Sequence, residues 1–380
     1  MKFAFLIFKY FPFGGVQRDM LRIARDCAAK GHEVTIYTGK WQGDKPEGNI
    51  KVVCLPSKGW LNHRRYTSLI SAMQQQIKLN PPDLLVGFNR MPGLDAYFAA
   101  DPCFIERAHS ERGYWYRFTG RYRFFADTER AVAGEDSQCK ILLLSPPEKA
   151  AFQRWYHTPE SRFYLLPPNI PTERFANLDR MAAHQQLRQE FGLPKDAKVL
   201  LMVGSAFIRK GLDRAIEALA ALPENIRSNC WLLAVGEDKA EKMHALAGKL
   251  GVASRVIITK GRSDIPQLMA GADVLLHPAR SELAGIVIIE AMTAGLPVIV
   301  TENCGYAMHI SAAGAGRVLP VPYQQSDLNL ALVDALQLPD LEKWAKAGRQ
   351  YTAQIAASTS ATVEVDLLET FAAEKSAKHV

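Results

Sequence analysis

The sequence predicts an α/β chain of two Rossmann-like domains, each built on a parallel sheet. Three observations carry that expectation. Near-continuous apolar runs alternate with helix-period segments, regularly in the second half and more loosely in the first, as in sheets covered on both faces. At 380 residues the chain is too long for one ordinary core. A stiff, proline-rich stretch, Leu165-Leu166-Pro167-Pro168-Asn169-Ile170-Pro171, supplies a seam.

In the first domain (residues 1–165) strands are expected at 2–8, 33–37, 51–55, 84–88, 103–106 and 140–144. Helices are expected at 16–30, stopped by Gly31, and at 66–78. The second domain (166–357) has apolar strands at 198–203, 230–235, 255–259, 273–277 and 298–301. Helix-period segments at 211–222, 239–250, 264–270 and 285–294 separate them. Two further helices, 340–357 and 361–375, follow the last strand, and the tail from about 358 to 380 is free to return onto the first domain. Parallel sheets facing an interdomain cleft would put the chemistry at strand-to-helix turns.

Hydrophobic content of 48% and charged content of 22% are ordinary for a globular protein. The net charge of +7 points to an anionic partner, whether nucleic acid, a phosphorylated substrate or an acidic membrane surface. Six cysteines (Cys27, Cys54, Cys103, Cys139, Cys230, Cys304) have no C-x-x-C spacing, so buried reduced thiols are expected rather than disulfides or zinc. The apolar run from Phe3 to Phe8 is short for a signal-peptide core, and no stretch has transmembrane length. The expectation is a cytosolic protein whose membrane contact, if any, is peripheral.

The turn Ser281-Glu282-Leu283-Ala284-Gly285-Ile286-Val287 leads to Glu290, with seven residues between the two carboxylates. Were the segment helical, they would lie roughly 12 Å apart along the axis. Free N–H groups of Ala284 to Val287 would then face an anion at the helix start, with the carboxylates accepting from sugar hydroxyls on either side. A capping Glu and a surface Glu on an amphipathic helix explain the spacing equally well.

The turn after the 198–203 strand reads Gly204-Ser205-Ala206-Phe207-Ile208-Arg209-Lys210-Gly211. A forked guanidinium beside a point charge suits a pyrophosphate, although a solvated basic loop is the commoner fate of such a pair. Gly261-Arg262-Ser263-Asp264 is a polar turn able to read a base through its backbone, with Asp264 expected to cap the next helix. His277, at a strand end, is as compatible with a satisfied structural histidine as with a ligand contact. In the first domain Gly14-Gly15 closes a strand-to-helix turn before Gln17, Arg18 and Asp19. It lacks the dinucleotide-binding glycine spacing but allows close backbone approach to a sugar or phosphate. Asp101 precedes the expected 103–106 strand, and either it or His109 could face a reacting carbon; before Pro102, Asp101 is also a natural turn former.

From Tyr114 to Phe125 aromatics interleave with arginines: Tyr114, Trp115, Tyr116, Arg117, then Arg121 and Arg123. An anionic membrane interface, a nucleic acid and an ordinary aromatic core face all use these residue types; interface contact is favoured because so dense a mix resists complete burial. No D-x-D occurs and no His/Cys/Asp cluster has metal spacing, so no catalytic metal is expected.

The E-x7-E turn (Glu282, Glu290), the basic loop (Gly204, Arg209, Lys210, Gly211) and Gly14-Gly15 together resemble the retaining glycosyltransferases of family 4, which have the GT-B fold. The resemblance spans nearly the whole chain. Lys9-Tyr10-Phe11-Pro12-Phe13-Gly14-Gly15, Gly87-Phe88-Asn89-Arg90-Met91-Pro92-Gly93-Leu94-Asp95 and Tyr97-Phe98-Ala99-Ala100-Asp101 are similar to the lipopolysaccharide core glucosyltransferase I group within that family.

That resemblance implies transfer of glucose from UDP-glucose to an inner-core heptose of lipid A–core at the cytoplasmic face of the inner membrane. It implies Arg209, Lys210, Arg262 and the backbone at Gly14, Gly15, Gly285, Ile286 and Val287 as donor-binding groups. Glu290 would hold the ribose, Glu282 the hexose, and Asp101 and Asp19 would lie near the reacting sugar or acceptor. The Tyr114–Phe125 stretch would touch the membrane. No cofactor, metal or nucleic-acid partner is implied. Rival readings are another UDP-hexose donor or acceptor on the same fold, a UDP-sugar 2-epimerase, and a non-catalytic membrane or nucleic-acid binding protein.

Overall fold

In a computed structural model the described residues are 1–12, 14–170, 172–337, 341–360 and 362–377. Phe13 of the glycine turn, Pro171 of the seam, Asp340 and Ala361 at expected helix starts, and residues 378–380 lie outside the described residues. The chain divides into two compact units: Met1–Leu166 with the returning chain from Ser360, and Pro167–Thr359.

The described strands of the first unit are β1 (Lys2–Ile7), β2 (Glu33–Thr38), β3 (Ile50–Cys54), β4 (Leu84–Gly87), β5 (Ala96–Ala99), β6 (Lys140–Leu143) and β7 (Phe163–Leu165). They pair in parallel in the order β3-β2-β1-β4-β5-β6-β7. The second unit carries β8 (Lys198–Val203), β9 (Cys230–Val235), β10 (Val256–Thr259), β11 (Val274–His277), β12 (Val298–Thr301) and β13 (Gly316–Leu319), parallel in the order β10-β9-β8-β11-β12-β13. Alternation explains why the central strands are apolar along their length. Leu200, Met202, Leu232 and Ala234 face one core layer, while Val199, Leu201, Leu233 and Val235 face the other. Each sheet is therefore buried on both sides.

Helix α1 (Gly15–Ala29) follows β1, and α2 (Asn62–Leu79) follows β3. The strand expected at 103–106 is instead helix α3 (Phe104–Glu111), and the strand in that position of the sheet is β5. A three-residue apolar run, Cys103-Phe104-Ile105, fits either state. Here the helix wins because the buried Glu129 carboxylate accepts the Phe104 and Ile105 N–H groups, which are orphans of a helix start. Helix α4 (Gly120–Ala133) carries Glu129. The first residues of the expected linker belong to the first unit: Leu165 ends β7 and Leu166 is buried in its core.

The Val363–Ala377 helix closes the first unit. Val365, Leu368, Phe371 and Ala372 are buried against β1, β2 and α1 residues. Around that apolar stripe Arg22 meets Glu364 at 2.5 Å, His32 meets Glu369 at 2.6 Å, Lys140 meets Glu374 at 3.1 Å and Lys375 meets Asp95 at 2.7 Å. All six cysteines are free thiols; five are buried and Cys54 is exposed. Among the described residues no helix is long and apolar enough to cross a membrane.

Candidate active site

In the second sheet β8 lies between β9 and β11, so the chain order reverses there and the turns leaving β8 and β11 meet at their carboxyl ends. Arg209 and Lys210 sit in a short helix, Phe207–Lys210, after β8. Gly211 ends it at φ +83°, where an added Cβ would lie 2.1 Å from the Pro278 carbonyl oxygen. That close approach presses the basic turn against the end of β11. Arg280 fastens the two turns, donating to Asp213 through Nη1 at 2.8 Å and Nη2 at 2.6 Å.

Glu282 is the hub of the arrangement. Its Oε2 lies 2.5 Å from Lys210 Nζ, 3.0 Å from Arg209 Nη1 and 3.9 Å from His277 Nε2. Burial by itself would raise the Glu282 carboxyl, but Lys210, with smaller help from Arg209, holds it below the ordinary carboxylate value. It is ionised at neutral pH. Two cations and one anion leave the cluster with a net positive charge, which suits a multiply charged anion.

His277 is fully buried, and among the described residues neither ring nitrogen has a hydrogen-bond partner. It is therefore not the satisfied structural histidine that its strand-end position allows. Burial first, then Lys210 and Arg209, push its pKa down to about 3 against the pull of Glu282, so the ring is neutral.

Glu282 and Glu290 do not share a helix. Glu282 forms an isolated parallel bridge with Cys304, Gly285 turns the chain at φ +86°, and the helix is Ile286–Ala294. The axial spacing expected for a helical segment does not apply. Gly285 starts the helix with no side-chain cap, Ile286 is its first residue, and Val287 packs into the core. Glu290 is held by Arg174 Nη1 at 2.8 Å, a partner 116 residues away that no local spacing announces. Arg262 is fully engaged, forking onto Asp264 and also onto Glu190, whose Oε1 is 2.5 Å from Nη1. Asp264 consequently does not cap the following helix with its side chain, contrary to expectation.

In the first unit Gly14 precedes α1 with an ordinary extended φ of −82°, and a Cβ on it would meet only the flexible Gln17 end and the Phe11 ring below 3 Å. A Cβ on Gly15 would meet nothing within 4 Å, so this turn is open to a ligand's approach. Asp19 is half-buried on α1; burial raises its carboxyl, and the arginines Arg22 and Arg18 oppose the rise. Asp101 is exposed and lines a cavity of about 320 Å³ with Arg90, Phe104, Arg107, Arg112 and Arg121.

The support beneath Asp101 was not legible in the sequence. Arg90 Nη2 donates to the Asp101 carbonyl at 2.7 Å and also to that of Pro102. Its Nε lies 3.1 Å from Glu129, which is 0% exposed and also accepts from Tyr156 Oη at 2.8 Å. Burial would lower the Arg90 pKa, yet the Glu129 charge holds it above its ordinary value. The pair ties α3, α4 and the Asp101 turn together. His109, by contrast, packs edge-on to Trp155 and lies 3.3 Å from Tyr122 Oη, in the last turn of α3.

The aromatic-basic stretch splits in two. Tyr114, Trp115 and Phe118 are exposed in a 3-10 turn, whereas Tyr116, Tyr122 and Phe125 pack around Phe104. Tyr116 thus belongs to the aromatic core face rather than the outer surface. Arg117 and Arg121 lie over the Tyr114 and Phe125 rings, and Arg121 and Arg123 are exposed. Among the described residues no group of three His, Cys, Asp or Glu could hold a metal ion.

Comparison with known proteins assigns both units. Residues 13–174 match Glycosyltransferase Family 4, and residues 184–351 match Glycosyl transferases group 1. The lipopolysaccharide glucosyltransferase WaaG of Escherichia coli (strain K12) is 47% identical over 349 residues, 92% of this chain and 93% of that protein. A crystal structure of WaaG, described as a glycosyltransferase involved in lipopolysaccharide biosynthesis, superposes with a TM-score of 0.86 at 45% identity, over 97% of this chain and 98% of that one. The sucrose-phosphate synthase of Thermosynechococcus elongatus shares the fold at 19% identity, with a TM-score of 0.74 over 93% of this chain and 94% of its own.

Proposed function

The chain belongs to the group 1 and family 4 glycosyltransferases, of GT-B fold, and on that premise we propose that it is a retaining glucosyltransferase of lipopolysaccharide core synthesis, moving glucose from UDP-glucose to an inner-core heptose. The observation that carries this reading is 47% identity across 92% of the chain to a lipopolysaccharide glucosyltransferase. The ion cluster at the switch point of the second sheet supplies the chemistry such a reaction needs.

In the proposed reaction the bond between the glucose anomeric carbon and the phosphate oxygen breaks, and UDP leaves with the electron pair. Arg209 and Lys210, with N–H groups at the Gly285–Val287 helix start, stabilise the charge that develops on the diphosphate. Glu282 gives up part of its grip on Lys210 and accepts from hexose hydroxyls, while Glu290 accepts from the ribose. Arg262, tied to two carboxylates, acts through the backbone of its turn. The acceptor oxygen bonds the anomeric carbon on the face the phosphate leaves, and its proton passes to the departing phosphate. Neither a cofactor nor a metal enters this scheme.

Asp101 and Asp19 are the proposed acceptor-side carboxylates of the first unit, Asp101 in its arginine-lined cavity and Asp19 on the helix that the open Gly14-Gly15 turn begins. The acceptor is an amphiphile, so the protein works as a peripheral protein at the cytoplasmic face of the inner membrane. Tyr114, Trp115, Arg117, Arg121 and Arg123 are its proposed anionic-surface contacts.

The test incubates purified protein with labelled UDP-glucose and heptose-terminated lipid A–core, then determines the anomeric configuration of the product. One α-linked glucose on a heptose is expected. A β-linked product would refute retention, and no transfer from any UDP-hexose would refute the function.

A further inference from the structure

Helices α2 and α4 run side by side in the same direction. Near their starts His63 abuts Gly120, where an added Cβ would lie 3.2 Å from the imidazole Nε2. One turn later Tyr66 and Phe124 pack with centroids 6.2 Å apart. Residue numbers rise together along both helices, so the segments that precede them emerge at one end of the pair. Before α4 comes the Tyr114–Phe118 turn, with Trp115 81% and Phe118 64% exposed. Before α2 come Trp60, fully exposed, and Leu61, 53% exposed. The Trp60 turn is a built one: Gly59 takes φ +128°, and the Lys58 N–H folds back onto Ser68 Oγ at 3.2 Å.

Charge follows the same geography. The sequence has no Asp or Glu from Gly48 to Pro82, and none from Arg112 to Ala126. Lys58, Arg64 and Arg65 flank the first apolar tip; Arg112, Arg117, Arg121 and Arg123 surround the second. Among the described residues none of these cations forms an ion pair. Large apolar tips next in sequence to cations that form no ion pair match the two layers of an anionic lipid surface, headgroup charge above and acyl chain below.

We propose that the Lys58–Leu61 turn is a second lipid-contacting element, and that it inserts beside the Tyr114–Phe118 turn to seat the first unit on an anionic bilayer at two points. The proposal rests on the peripheral-membrane reading above and adds a contact to it. Two adjacent points fix an orientation that one point leaves free to rotate. Nucleic acid would use the same cations and stack bases on the aromatic rings, but Leu61 offers no ring for stacking, whereas an acyl layer takes aromatic and aliphatic tips alike.

The test is flotation of the full chain with vesicles of phosphatidylglycerol and phosphatidylcholine, at two salt concentrations, for the wild type and two paired variants. Trp60→Ser with Leu61→Ser is expected to lower vesicle binding about tenfold, comparably to Trp115→Ser with Phe118→Ser, with thermal midpoints unchanged. Bromine-labelled acyl chains should quench a component of tryptophan fluorescence that is missing in Trp60→Phe. Wild-type binding by the Trp60/Leu61 pair, with loss only in the Trp115/Phe118 pair, would overturn the second contact and leave the membrane reading standing. Failure of the wild type to bind vesicles would overturn both, as would Trp60-dependent self-association or nucleic-acid binding in place of lipid binding.

Discussion

Lys210 Nζ lies 2.5 Å from Glu282 Oε2, and the two residues come from turns on β8 and β11, strands that are neighbours only because the sheet order reverses between them. The carboxylate thus occupies a cation that the proposed donor diphosphate needs. Binding requires Lys210 and Arg209 to be shared with phosphate oxygens, and Glu282 becomes free for a sugar hydroxyl as they are.

Glu282→Gln separates those two roles. Removing the competing charge should tighten binding of UDP alone by about 1 kcal/mol, roughly fivefold. Glucose transfer should fall roughly 10- to 100-fold, because a charged acceptor for the hexose is lost. Calorimetric titration with UDP and steady-state kinetics read the two effects; weaker UDP binding with transfer intact would reverse the assignment.

The Arg90–Glu129 pair holds the Asp101 turn from beneath. Because Glu129 is fully buried, Glu129→Ala leaves an uncompensated guanidinium and unpaired Phe104 and Ile105 N–H groups. A loss of roughly 3–5 kcal/mol in urea denaturation is expected. A loss under about 1 kcal/mol would mean that the pair is not the keystone of this turn.

His277 gives the fold an acid sensitivity. Its folded pKa of about 3 lies below its unfolded value of 6.5, so the unfolded chain binds the extra proton across that interval. Stability therefore falls as pH drops from 6.5 towards 3, with this residue contributing a loss of about 2 kcal/mol by pH 5. Denaturation at pH 7 and pH 5 should show a shallower pH dependence in His277→Gln than in the wild type. Equal slopes would contradict burial of a neutral, unpaired ring.

The returning C-terminal helix is part of the first unit's core. Removing residues from 360 onward uncovers the face that buries Val365, Leu368 and Phe371, at a cost on the order of 5 kcal/mol. Hydrogen exchange should show lost protection in β1, β2 and α1, with β8, β9 and β11 protected as before. Uniform protection in both units would show that the helix is dispensable.

Strands β8 to β12 of the second unit were legible almost to the residue because each is largely apolar and bounded by polar turns, whereas β13 (Gly316–Leu319), an edge strand carrying Arg317, was not expected. Lys198–Val203, Cys230–Val235 and Val298–Thr301 match their expected ranges. The 103–106 error arose where a short apolar run carries no period, and the deciding carboxylate, Glu129, lies more than twenty residues away. Arg209, Lys210 and Glu282 were readable as a set because strand-end turns in a parallel sheet converge. Their direct pairing was not, nor were the Arg174–Glu290 and Arg90–Glu129 pairs, since each joins residues that only the tertiary fold brings together. Gly285 hid a further point: its left-handed turn takes Glu282 off the helix that carries Glu290.

The most direct test of the donor site is the steady-state kinetics of Lys210→Ala, varying UDP-glucose and heptose-terminated acceptor separately. Loss of roughly 100- to 1,000-fold in kcat/KM for UDP-glucose is expected, with acceptor KM changed less than about twofold and the circular dichroism spectrum retained. Unchanged donor kinetics, or a defect confined to the acceptor, would contradict a donor diphosphate held between Lys210, Arg209 and the turn that carries Glu282.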